Sequence, residues 1–148
     1  MNRRQLVTHR TVLLLLRTSV TTLALLGLAE AMFAGSFLNG HYAMLQAHRI
    51  TGMVTGAVAI LQAVVVIPAG AGGRGPRRPI AGTAVLAVAV PAQIGLGLGR
   101  ALGLHVMLGV LVVSSIMLLA VQVWRTPLPA RSPSSASSGS RSTVAAAS

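Results

Sequence analysis

Four apolar runs divide the chain, and each is long enough to cross a bilayer as a helix. Spanning takes about 20 apolar residues in helical form, because hydrocarbon offers no partner to a backbone amide and a helix satisfies its own. The pattern predicts helices over residues 12–34, 46–67, 80–98 and 102–124. Residues 12–126 therefore read as one transmembrane domain, between a basic N-terminal segment (1–11) and a tail (127–148). Glycine and proline mark the breaks: a short neutral link at 35–45, a Gly/Pro/Arg-rich one at 68–79, and a tight one around Gly99 and Arg100. The tail is Ser, Ala and Pro with two arginines, a composition that predicts disorder. The expected fold class is all-α: an integral membrane four-helix bundle with a disordered C-terminal tail.

Composition strengthens this picture. The chain has 148 residues, 53% hydrophobic and 9% charged, too few polar groups to coat a water-soluble domain. The formal charge of +11 is not gathered into a patch of the kind nucleic acid requires, so no nucleic-acid partner is expected. Every basic residue is Arg, and the arginines lie between the apolar runs as topology signals. Arg3, Arg4, Arg10 and Arg17 precede or open the first run, Arg74, Arg77 and Arg78 fill the second link, and Arg125, Arg131 and Arg141 follow the last run. Only Arg49 and Arg100 fall on the other side. Positively charged segments stay in the cytoplasm, so both termini and the second link are expected there, in a multi-pass protein of the cell membrane.

The basic start, apolar run and Ala29-Glu30-Ala31 of the N-terminus imitate an export signal. The run is too long, however, and Arg17 interrupts it. The better reading keeps it as helix one, with Arg17 reaching to the inner headgroups. A start after Arg17 would carry that helix to about Leu38 and place Glu30 deeper.

Chemistry is restricted by what the chain lacks. Without cysteine there are no disulfides, thiolate metal sites or iron–sulfur clusters. Glu30 is the sole acid and there is no lysine, so paired-carboxylate and Ser-His-Asp machinery is excluded, and no enzymatic activity of the chain on its own is expected. The ionisable residues within or near the spans are Glu30, His48, Arg49, Arg100 and His105, with His41 in the outer link; such groups are candidate sites because the bilayer makes them costly.

His48 and His105 open the second and fourth runs, which point the same way, so both lie at similar depth in the outer leaflet. Each is followed four residues on by glycine, Gly52 and Gly109, one turn deeper on the same face. Two facing imidazoles beside flat helix surface suit a haem iron, and Arg49 and Arg100 at the rim suit its propionates. The alternative is that Gly52 and Gly56 form a close-packing face and the histidines only hydrogen-bond neighbours. Glu30 is expected to pair with Arg49 or Arg100. Gln62, Gln93, Ser114 and Ser115 are expected to bond between helices, and Pro91 to kink the third helix.

The stretches LQAHRITGMVTG (45–56) and QIGLGLGRALGLHVMLGVLV (93–112) resemble one four-helix half of haem A synthase, and the outline is similar to that of small bacterial four-helix membrane proteins. In that family helix two carries a His-Arg pair, here His48-Arg49, and helix four a second histidine, here His105. The resemblance implies haem b held by two histidines. The catalytic half of that enzyme has a glutamate three residues before the first histidine, where this chain has Leu45, so cofactor binding is implied rather than haem oxidation. The function expected is electron transfer or redox sensing in the cell membrane. A cofactor-free structural or accessory protein of a larger complex is the alternative, and a proton-relaying transporter subunit ranks third. Beyond lipid, the partners considered are a second copy of the chain or the other subunits of a membrane complex.

Overall fold

The computed structural model describes residues 3–71 and 77–128. Among them are four helices and no strand: α1 (Arg3–Leu38), α2 (Met44–Ala71), α3 (Arg77–Leu98) and α4 (Leu102–Arg125). Each contains a stretch long and apolar enough to cross a membrane. The protein is thus an all-α bundle of membrane-spanning type. The expected disorder of the tail and the environment of Arg74 lie outside the described residues.

Helix ends depart from the apolar pattern in instructive ways. The first helix begins at Arg3 and ends at Leu38, overrunning residues 12–34 on both sides. Nothing in its polar first turns breaks a helix, and Gly35 is tolerated within it. At about 1.5 Å per residue its 36 residues reach well beyond the hydrocarbon thickness. The second helix continues through Pro68 to Ala71. The third begins at Arg77, with Pro79 in its first turn, where a missing N–H costs no intrahelical bond, and it also runs through Pro91.

The α1–α2 and α3–α4 turns close in the same manner. The amide of His41 bonds the carbonyl of Ser36 and that of Gly40 bonds Phe37; likewise Ala101 bonds Leu96 and Arg100 bonds Gly97. This is the paired 6→1 and 5→2 bonding that satisfies the last carbonyls of a helix, and it needs a left-handed residue at the pivot. Gly40 takes that role at φ 92°, at no steric cost. In the second hairpin the pivot is Arg100 at φ 58°, which an L side chain adopts only at a cost.

The helices pack in cyclic order: α1 against α2 and α4, and α3 against α2 and α4. The second and fourth therefore stand diagonally across the bundle. The apolar core occupies one half of its length, where Val12, Leu16, Val20 and Leu23 of α1 meet Ala59 and Val66 of α2, Leu86 and Val90 of α3, and Ile116, Leu119 and Val123 of α4. The spacing of three and four residues within α1 and α4 puts each set on a single helix face. The opposite half is built differently: no residue from 28 to 54 or from 91 to 111 is fully buried.

Candidate cofactor site at the loosely packed end

His48 lies in the second turn of α2 and His105 in the first turn of α4. Because these helices are diagonal partners, both rings turn toward the bundle axis. Their centroids are 6.0 Å apart and their planes are nearly perpendicular, at 87°.

Each ring is held from the neighbouring odd-numbered helix. Nδ1 of His48 lies 2.6 Å from Oε2 of Glu30 and 3.3 Å from the carbonyl oxygen of the same residue. Nδ1 of His105 lies 2.9 Å from the carbonyl oxygen of Gln93, whose side-chain amide in turn donates to the carbonyl of His105 at 2.7 Å. A carbonyl oxygen only accepts, so in both rings Nδ1 carries the proton and donates it. In a neutral imidazole Nε2 is then the atom that holds the lone pair. Among the described residues neither Nε2 has a hydrogen-bond partner. An imidazole whose Nδ1–H is tied to a carboxylate or carbonyl, with Nε2 uncommitted, is the tautomer that ligates metals, and the tie raises its basicity.

The two hairpins repeat one design. Glu30 precedes the Gly40 pivot and His48 follows it, as Gln93 precedes and His105 follows the Arg100 pivot. The first pair lies about one helical turn further from its pivot than the second. Small residues make room for these contacts. A Cβ added at Gly52 would sit 3.7 Å from a Glu30 carboxylate oxygen, one at Gly109 only 2.7 Å from Nε2 of Gln93, and one at Gly97 2.8 Å from Cε1 of His105. The glycines that follow the histidines thus receive the side chains that orient the rings. Gly56, buried, approaches Ile94 of α3, as a close-packing glycine does.

Several expectations need correction. Glu30 pairs with His48, not with Arg49 or Arg100; both arginines are exposed at the rim of the bundle on the histidine side. The reason is register, since the extension of α1 to Leu38 carries Glu30 about 12 Å below its last residue and away from the rim. Gln62 and Gln93 do bond between helices, the former to Thr83 at 3.0 Å. Ser114 and Ser115 instead face outward from α4 and make no bond to another helix among the described residues. His41 is exposed in the turn between α1 and α2, apart from His48 and His105. Sequence reasoning assigned no role to Gly97 and expected Gln93 to bond between helices without linking it to a histidine. A sign of the latter was available: counting turns back from the Gly99-Arg100 break puts Gln93 level with His105.

Glu30 Oε1 and Gln93 Oε1 are enclosed and have no partner. No group of three or more His, Cys, Asp and Glu side chains able to hold a metal ion occurs among the described residues. The site is therefore not a closed structural zinc centre, which needs four protein ligands. Two opposed imidazoles suit a metal whose remaining ligands come with a macrocycle. With M–N bonds of about 2 Å, such ligands place their ring centroids roughly 6 Å apart, and the dihedral between the rings is free. Two imidazoles are a donor set that haem iron takes.

Fold and site together define a four-helix membrane-type bundle with a two-histidine centre toward one end. No protein-family model, curated protein or solved structure matches the chain.

Proposed function

We propose that this protein binds one b-type haem between His48 and His105 and serves electron transfer or redox sensing in the cell membrane. The observation that carries the reading is the pair of imidazoles set 6.0 Å apart across the bundle, each with Nδ1–H committed and no protein partner at Nε2 among the described residues. A bound haem would supply one-electron chemistry at the iron. Glu30 and Gln93 fix the tautomer and orientation of the two ligands. Arg49 and Arg100, at the rim on the same side, are the cations placed to meet propionates. Gly52 and Gly109 admit the Glu30 and Gln93 side chains that orient the two rings. The arginine distribution supports a topology with both termini in the cytoplasm and the haem in the outer leaflet.

The test is a spectrum. Protein produced with ample haem and purified in mild detergent is expected to be red, with an intense near-ultraviolet band that shifts on reduction. His48→Ala and His105→Ala should each abolish the six-coordinate spectrum, whereas His41→Ala and His9→Ala should leave it intact.

A second reading has an observation in its favour. Glu30 over Gly52 and Gln93 against Gly109 form a polar belt in which the histidines already have partners. A cofactor-free bundle, acting as an accessory subunit of a larger complex or as a homodimer, would use that belt for helix registry. Colourless, fully folded protein that gains no band on addition of hemin would decide for it.

A further inference from the structure

We propose that the groove between α1 and α4, at the end of the bundle far from the histidines, is a binding site for the phosphate of an anionic phospholipid. The proposal does not depend on haem binding. The groove has a volume of about 410 Å³ and is lined by Leu14, Arg17, Thr18, Thr21, Thr22 and Trp124. Its floor is organised around Arg17. Nη2 donates to the carbonyl of Thr126 at 2.8 Å and approaches that of Trp124 at 3.5 Å, so the guanidinium caps the C-terminal end of α4. The same guanidinium lies over the Trp124 ring, 5.0 Å from its centroid, and the indole N–H donates to Thr21 Oγ1 at 3.2 Å.

Capping leaves the cation only partly satisfied. The carbonyls that receive Nη2 are neutral, and Nε is enclosed without a partner. No acidic side chain can serve, because Glu30 is the only one in the sequence and it is held by His48 near the other end. Arg10, two turns along the same face of α1, and Arg125, next to Trp124, add positive charge nearby without a counter-charge from the chain. An anion from outside would complete the set of partners. Trp124 marks the depth, since an indole with an apolar body and a polar tip settles at the headgroup level of a membrane. At that level the abundant anion is lipid phosphate, with acyl chains lying along Leu14 and the half-exposed face of α1. A planar guanidinium already stacked and tethered loses little freedom on meeting phosphate oxygens.

The experiment uses the full chain in mild detergent and native mass spectrometry, with phosphatidylglycerol or phosphatidylcholine added at matched concentrations. The wild type should retain one phosphatidylglycerol in preference to phosphatidylcholine. Arg17→Gln should weaken that retention by about tenfold, as expected for loss of a charge-assisted contact, while Arg125→Gln, which lowers net charge equally, should have a much smaller effect. Thr18→Leu fills the groove but keeps the Arg17 cap on α4, so it tests the site even where Arg17→Gln proves poorly folded by circular dichroism. It too should reduce retention. Equal losses for Arg17→Gln and Arg125→Gln, no preference between the lipids, or undiminished retention by Thr18→Leu would each overturn the proposal.

Discussion

Gly97 and Gly95 sit two residues apart on α3, and the same substitution should move stability in opposite directions at the two positions. A Cβ at Gly97 would come 2.8 Å from Cε1 and 3.0 Å from Nδ1 of His105, well inside the 3.5–4.0 Å at which carbon atoms pack favourably. The ring cannot retreat freely, because Nδ1–H is bonded to the Gln93 carbonyl at 2.9 Å and the Gln93 amide holds the His105 backbone at 2.7 Å. Relief requires either giving up a bond worth about 1 kcal/mol or moving α3 off α4. Overpacking of this kind costs about 1–3 kcal/mol. At Gly95 a Cβ meets nothing within 4 Å, so alanine there only restricts the unfolded backbone and should stabilise by roughly 0.5–1 kcal/mol. Unfolding by SDS in mixed micelles, followed by far-ultraviolet circular dichroism, measures both. Shifts of the same sign and size in the two variants would refute the claim that α3 and His105 are locked together.

Other expectations follow from single contacts. Arg100→Gly relieves a left-handed arginine and should raise stability by about 1 kcal/mol in the same assay, even as it removes a rim cation; no gain would show that the turn carries no strain. Glu30→Ala leaves the Nδ1–H of His48 without its carboxylate and should cost about 1–3 kcal/mol, whereas Glu30→Gln keeps an acceptor and should cost less; equal losses would mean that the charge, not the bond, matters. Gln62→Leu should change stability by only about 1 kcal/mol or less, since its bond to Thr83 is offset by a buried Oε1 without a partner, and polar contacts in membranes are typically worth about 0.6 kcal/mol. Cysteines introduced singly at His41 and Arg78 should be labelled from opposite sides of intact cells, His41 from outside; the reverse pattern would overturn the arginine-based orientation.

Much of the fold was legible because lipid imposes a simple rule. Long apolar runs must be helices there, and the short links force neighbouring helices to run antiparallel, so the count and order of the elements follow from hydropathy alone. Helix ends were less legible, because hydropathy does not report them. The polar turn from Arg3 to Thr11 is as helical as the apolar stretch beyond it, and Pro68 falls inside α2 although proline usually ends a helix. The pairing of His48 with His105 follows from depth and diagonal placement. The pairing of Glu30 with His48 does not, because it depends on where α1 stops, and four residues there decide whether the carboxylate meets an arginine at the rim or an imidazole within.

The two halves of the bundle divide stability from chemistry. The buried contacts from Val12 to Leu23 and from Val112 to Val123 hold the helices together at the end where Arg17 caps α4. The histidine half has no fully buried residue and is ordered mainly by directional bonds from Glu30 and Gln93. Hydrogen bonds fix orientation while contributing little net stability, whereas apolar packing contributes stability but tolerates several orientations. That separation lets the ring geometry be set without a tight core around it. It also predicts how damage will distribute. Truncating Leu16 or Ile116, both enclosed, should cost about 2–5 kcal/mol, near the whole stability of a small bundle, while His48→Ala should leave the helices assembled and remove only what the imidazole does.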